Sequence, residues 1–386
     1  MGMGGVQRLY NIPKVLKELG WDVEVYTTYP PYSYPKDNIS FQIDDLKIER
    51  SFCPDPLHLL PGRVSTPGPS KHDYFSFPDN KIFWLPFLWS KIKSTDIIIV
   101  SCPPFSTALT LFLSRNIPCI IDYRDQWTGS YLGKYFLKAE EHLAGKAEKM
   151  FINKASAIVT VTEGIGDYLK TQYPKNKDKI HLIRNGFDEK AFPLSSKTEK
   201  LKKYTVTYMG TFSNLIKPDL LFEGIEKLFS LNPGLQENFV FKYIGPSMLK
   251  ELKEKARNIG LKNFITTGYL PHKEALSELM ASDLLILMGV SGKEDSWLIP
   301  GKLYQYLYTG LPIIAITKNT EIKKLIGSSG IICDAEPKSF AYSVLKAIRK
   351  PHLFKGISNY SDYSWKNLGR KYSELLRRVL QHDLTT

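Results

Sequence analysis

Short apolar runs rich in β-branched residues alternate with amphipathic helical stretches through most of this 386-residue chain. No other feature constrains the fold as strongly, because strands joined by helices settle into layers, with helices packed over a parallel sheet. In the first half the strand candidates are "DVEVYTT" (22–28), "DIIIVSC" (96–102), "PCIIDYR" (118–124), "AIVTVTE" (157–163) and "KIHLIRNG" (179–186). Their near-continuous hydrophobicity suits a sheet covered on both faces. After Gly186 the chain turns polar and basic, in "FDEKAFPLSSKTEKLKKYT", and a second series starts afresh with "YTVTYMG" (204–210), "FVFKYIG" (239–245) and "FITTGYL" (264–270). It continues through "DLLILMG" (283–289), "PIIAIT" (312–317) and "GIICD" (330–334), with helical stretches between. The reading is an α/β protein of two Rossmann-like domains, residues 1–188 and 204–350, joined by a linker at 189–203. A tail at 351–386 carries a last helix, "YSWKNLGRKYSELLRRVL", expected to pack back on the first domain.

Composition narrows the partners. With 43% hydrophobic and 24% charged residues the chain is globular, and its net charge of +13 favours anionic partners. No dense Lys/Arg run or nucleic-acid signature is present, so a phosphorylated small molecule or an acidic membrane surface is expected and nucleic acid is not. Cys53, Cys102, Cys119 and Cys333 form no C-x-x-C pair, and the seven histidines have no ligand spacing. No protein-bound metal or cofactor is expected, and the compartment is read as reducing and cytoplasmic. No apolar run reaches the ~18 residues of a spanning helix. Residues 53–95 are irregular and end in "FWLPFLWSKIK", where exposed aromatics beside lysines suit a membrane-surface contact and a loop packed over the core edge is the alternative.

Most of the chemistry concentrates in "DLLILMGVSGKEDSWLIPGKLYQYLYTGLPIIAIT" (283–317). A buried strand ends in a loop, a helix begins near Pro300, and Gly310 closes it before the next strand. Ligands of open α/β sheets sit beyond the carboxyl ends of strands, where helix amino-termini offer unpaired N–H groups to anions. The amides of Gly301, Lys302 and Leu303 are therefore the expected diphosphate site, with Lys302 as a cation and Gln305 one turn on for a ribose. An ordinary amphipathic crossover helix fits the same pattern.

Taken in order, "GGVQRLYNIPKVLKELGWDVEVYTT", "SCPPFSTALTLFLSRNIPCIIDYRDQW", "VTVTEGIGDYL", "IRNGFDEKAF", "YMGTF", "GYLPHKEALSELMASDLLILM" and "IPGKLYQYLYTGLPIIA" resemble the retaining glycosyltransferases of family 4, which have the GT-B architecture of two Rossmann-like domains facing a cleft. The branch most similar builds bacterial surface polysaccharides. The resemblance implies a nucleoside-diphosphate sugar bound by the second domain and a lipid-linked or oligosaccharide acceptor bound mainly by the first. It implies metal-independent transfer with retention, at the inner face of the cell membrane. Lys217 is the implied second cation, set one residue from the family's usual position, with plain surface charge as the competitor. The family's paired glutamates fall here on Trp297 and Gln305, so Glu294 or Asp295 would have to supply a carboxylate to the donor sugar.

In "DYRDQW", Asp125 is the candidate to orient or deprotonate the acceptor hydroxyl and Arg124 to hold acceptor phosphate; capping of the next turn is the alternative for Asp125. "RNG" at 184–186 reads as a hinge turn. Gly4 and Gly5 would let backbone approach donor phosphate or acceptor. The family expects an apolar strand before them, so the chain is expected to start late. Two rivals stay open: a nucleotide-sugar epimerase of the same fold, and a nucleotide- or partner-binding protein without transfer.

Overall fold

A computed structural model describes residues 4–29, 46–53, 78–89, 91–92, 95–114, 116–130, 138–193, 199–213, 216–290, 292–354 and 360–383. The chain divides into an N-terminal unit, Arg8–Arg184 with Lys366–Thr386, and a C-terminal unit, Asn185–Trp365 with Met1–Gln7. All strand pairing in both units is parallel, as the strand–helix alternation requires.

In the N-terminal unit the strands are β1 (Glu24–Thr28), β2 (Lys47–Ser51), β3 (Ile98–Cys102), β4 (Cys119–Tyr123), β5 (Ala157–Thr160) and β6 (Ile180–Leu182). The last four form one sheet in the order β3-β4-β5-β6, and β1 pairs with β2 separately. β4 and β5 are buried along their whole length, which accounts for their unbroken apolar sequences. β2 was not among the expected strands; it reads "KIERS", none of its residues is fully buried, and it has no apolar stripe to betray it. The proline-rich stretch also holds more order than expected. Trp84, Leu88 and Ile92 are buried together against Tyr26 of β1 and Ile98 of β3, while Phe87 and Trp89 stay exposed.

The last helix, Trp365–Asp383, packs on this unit, as expected. It buries Leu368, Tyr372, Leu375 and Leu376, four residues spaced as one face of a helix. Helix Gly4–Glu18 meets it with Val15, so closely that a Cβ on Gly369 would stand 2.3 Å from Val15 Cγ1. Polar contacts tie the same elements together. Arg8 Nε donates to Asp122 Oδ2 at 2.9 Å and Arg8 Nη2 to Oδ1 at 2.7 Å, while the Tyr372 hydroxyl donates to Oδ1 at 2.6 Å. Arg8 Nη1 reaches the Arg184 carbonyl at 2.8 Å, and Trp21 Nε1 donates to Ser373 Oγ at 2.9 Å.

The C-terminal unit holds β7 (Tyr204–Met209), β8 (Phe239–Ile244), β9 (Phe264–Thr266), β10 (Leu284–Met288), β11 (Ile313–Ile316) and β12 (Gly330–Cys333) in one sheet, ordered β12-β11-β10-β7-β8-β9. β7 therefore sits at the point where the chain switches its direction of growth along the sheet, the place where such sheets take ligands. Side chains of alternating strand positions feed two cores, one on each face. Phe187 and Phe192, at the edge of the stretch read as a linker, are buried with Tyr308 in the second of these.

Candidate functional site

The helix Lys302–Thr309 starts two residues later than expected, with Gly301 as its N-cap. Its first side chain runs back to the carboxyl end of β7. Lys302 Nζ donates to the Met209 carbonyl at 2.8 Å and to the Tyr208 hydroxyl at 3.3 Å, and lies 4.4 Å from the centroid of the Tyr208 ring. Burial lowers its pKa to about 7, and no acidic side chain among the described residues offsets that. Gly210 makes room: its φ is +148°, and a Cβ there would stand 2.4 Å from the ammonium. A lysine thus stands at the carboxyl end of β7 with no acidic partner among the described residues. Tyr306 secures the same strand end, its hydroxyl accepting from the Met209 amide at 3.2 Å.

The three amides expected to bind diphosphate differ in their engagement at this helix start. No described residue accepts from the Gly301 or Lys302 N–H, and a Cβ on Gly301 would meet nothing within 4 Å. Leu303 is different: its amide already donates to the Pro300 carbonyl at 2.9 Å and its side chain is fully buried, so the expected donor is engaged within the chain. The tight turn at Pro300 consumes that donor. Gln305, half-buried, approaches the ring of His272 with Nε2 to Nε2 at 3.0 Å. Burial lowers the pKa of His272, with Asp188 acting in opposition. His272 lies in the quoted "GYLPHKEAL" stretch, yet only the fold brings it beside a residue 33 positions away.

The loop before the helix corrects the expected carboxylate. Asp295 is buried; Thr317 Oγ1 donates to it at 2.8 Å, and the Lys318 amide at 2.7 Å. A carboxylate so occupied holds the loop to the end of β11 rather than facing a sugar. Trp297 is buried too, and the side chain of Glu294 lies outside the described residues. Lys217 is exposed in the loop after β7, where it adds weakly to the low pKa of Asp219, a shift caused first by the hydrogen bond from Lys255. Gly4 and Gly5 open the helix Gly4–Glu18 rather than a loop, and residues 1–3 lie outside the described part.

In the N-terminal unit Arg124 and Asp125 leave the carboxyl end of β4. The Arg124 amide donates to the Cys102 carbonyl at 2.8 Å and its guanidinium to the Pro103 carbonyl, leaving Nε buried with no partner. Asp125 accepts no hydrogen bond from a described residue, so the capping role weighed for it is not observed. Burial raises its pKa, partly offset by Arg124. A carboxylate of raised pKa at a strand end is chemically suited to accept a proton. The first residue of the same motif, Asp122, serves structure. Burial alone would raise its pKa, but Arg8 and the hydrogen bond from Tyr372 outweigh this and hold it low. Among the described residues no three His, Cys, Asp or Glu side chains are grouped to hold a metal, and no helix is long and apolar enough to cross a membrane.

Two α/β units with parallel sheets, one presenting this strand end, define the GT-B class of architecture. A glycosyltransferase from Rickettsia africae superposes with a TM-score of 0.67 at 14% identity, covering 98% of this chain and 96% of that one. UDP-GlcNAc 2-epimerase from Neisseria meningitidis, bound to UDP-GlcNAc, gives 0.61 at 14% identity, with 96% of both chains covered. Residues 3–191 match the model of Glycosyltransferase Family 4. Teichuronic acid biosynthesis glycosyltransferase TuaH of Bacillus subtilis (strain 168) is 22% identical over 200 residues, 50% of this chain; the chain spans about half of that relative's length, 49%.

Proposed function

We propose that the chain is a glycosyltransferase that moves a sugar from a nucleoside diphosphate to a lipid-linked or polysaccharide acceptor in surface-polysaccharide synthesis. Anomeric configuration is retained and no metal takes part. The observation that carries this reading is Lys302: a desolvated ammonium at the end of β7, lacking an acidic partner among the described residues, beside the two unengaged amides of Gly301 and Lys302. In place of a metal, these groups neutralise charge developing on the departing diphosphate. Gln305 meets the ribose. Arg124 and Asp125 serve the acceptor, Arg124 through a phosphate and Asp125 through the hydroxyl that attacks. The family 4 match and the teichuronic acid relative support the choice of transfer over other GT-B chemistry. The reaction takes place at the cytoplasmic face of the cell membrane.

A thermal-shift screen of nucleoside-diphosphate sugars tests this, since a ligand at a hundred times its Kd stabilises by about 2.7 kcal/mol. One nucleotide class should raise the Tm, and Lys302→Ala should abolish that shift while leaving the unliganded Tm within a few degrees. Equal shifts in both proteins would remove Lys302 from the site. A second reading, nucleotide binding without transfer, draws on the burial of Trp297 and Asp295 where donor-sugar carboxylates were expected. Nucleotide binding with no sugar released or transferred in the presence of acceptor would favour it.

A further inference from the structure

The N-terminal unit presents a second surface that the transfer reaction does not use. The helix Lys138–Lys154 turns Ala144, Glu148, Phe151 and Ile152 inward, and Glu148 is fully occupied there by the hydroxyls of Tyr123, Thr128 and Tyr173. The opposite face is where Leu143 and Met150 stand 51% and 54% exposed. At 100° per residue these two share a face with Lys146 and Lys154, and Lys149 flanks it. Among acidic residues of the helix, Glu148 is turned inward and Glu141 lies away from that face, while Glu140 borders it at the amino-terminal end, one turn before Leu143. Phe112, 44% exposed, stands beside this helix, its ring 6.1 Å from that of the buried Phe151.

Large apolar side chains set among lysines on a surface helix match the two forces of a phospholipid interface: apolar entry at the acyl boundary and attraction of ammonium to lipid phosphate. In the aromatic stretch ending in Trp89 the second of these is reduced among the described residues. Phe87 and Trp89 are exposed, but the adjacent Lys91 is ion-paired with Glu49 at 2.6 Å.

We propose that the outward face of helix Lys138–Lys154 docks the protein on an anionic phospholipid bilayer, with Leu143 and Met150 entering the interface and Lys146, Lys149 and Lys154 meeting lipid phosphate. The proposal requires no nucleotide chemistry and is tested separately from it. Full-length protein is sedimented with vesicles of equimolar phosphatidylcholine and phosphatidylglycerol, and with vesicles of phosphatidylcholine alone. Binding is expected to the mixed vesicles only, and to weaken as salt rises. The triple variant K146Q/K149Q/K154Q should lower the partition coefficient by about tenfold or more. L143S/M150S should lower it by a comparable factor while leaving retention on heparin, a polyanion without acyl chains, unchanged. All substituted side chains point away from the core, so circular dichroism and Tm should match the wild type. Wild-type protein left in the supernatant would overturn the proposal, as would variants that bind like wild type. Loss of binding only in F87S/W89S would overturn it by assigning the contact to the other stretch.

Discussion

Burial lowers the pKa of Lys302 to about 7, so in the proposed diphosphate site its protonation would report on binding. Its folded pKa of about 7 lies below the ordinary lysine value of 10.5, so in the window between them the unfolded chain binds more protons than the folded one. Stability without ligand therefore rises with pH across that window, by at most a few kcal/mol. Lys302→Met should flatten the slope, as read from urea midpoints at successive pH values. Binding has the opposite sign. A diphosphate prefers the ammonium, so its affinity should be greatest below about pH 7 and fall by up to about tenfold per pH unit above, with proton uptake visible by calorimetry in buffers of different ionisation heat. Arg8 and Asp122 make the contrasting residue-scale case. A buried ion pair broken from one side leaves an uncompensated charge, so Arg8→Ala should cost ~3–5 kcal/mol, and Arg8→Met with Asp122→Leu should cost less than the single change. Because Asp122 is held below its usual pKa, this contribution is present above the unfolded carboxylate range and lost as pH falls through the folded pKa. The helix start that carries Lys302 was legible in the sequence because proline and glycine mark it. The Arg8–Asp122 pair was not, since the partners are 114 residues apart and nothing local distinguishes them.

At the scale of elements, legibility followed burial. Strands covered on both faces announce themselves as apolar runs, while β2, half-exposed and charged, does not. The segment around Trp84 was obscured by proline, and its order comes from tertiary burial rather than helix propensity. Asp295 shows the same limit within the site. Its sequence position beside Glu294 suits a ligand contact, but Thr317 and Lys318, over twenty positions away, decide that it anchors a loop. The last helix offers a direct test of packing. Gly369→Ala would drive a methyl into Val15 and should destabilise by roughly 1–3 kcal/mol, measured by chemical denaturation. Val15→Ala in the same chain should recover part of that loss, because the two residues share one contact.

For the whole molecule, the division into two units predicts where a bound nucleotide is felt first. Hydrogen exchange with a saturating nucleoside diphosphate should gain protection at residues 209–213 and 300–309, and leave the amides of β5 and β6 at their unliganded rates. Protection confined to β3–β6 would move the diphosphate site to the other unit. The alternation of apolar strands with amphipathic helices was enough, read alone, to dictate two parallel α/β units, because periodicity and hydrophobic burial are local in sequence. It also located the helix start proposed to face phosphate to within two residues, since proline and glycine mark a helix end locally. Which carboxylates the fold engages and which it leaves open was decided only in three dimensions. Asp122 and Asp125 are three residues apart in one motif, and the first is consumed by Arg8 and Tyr372 while the second keeps its carboxylate open. The energy of a charge depends on desolvation and on partners brought from distant segments, and neither is written in the neighbouring residues.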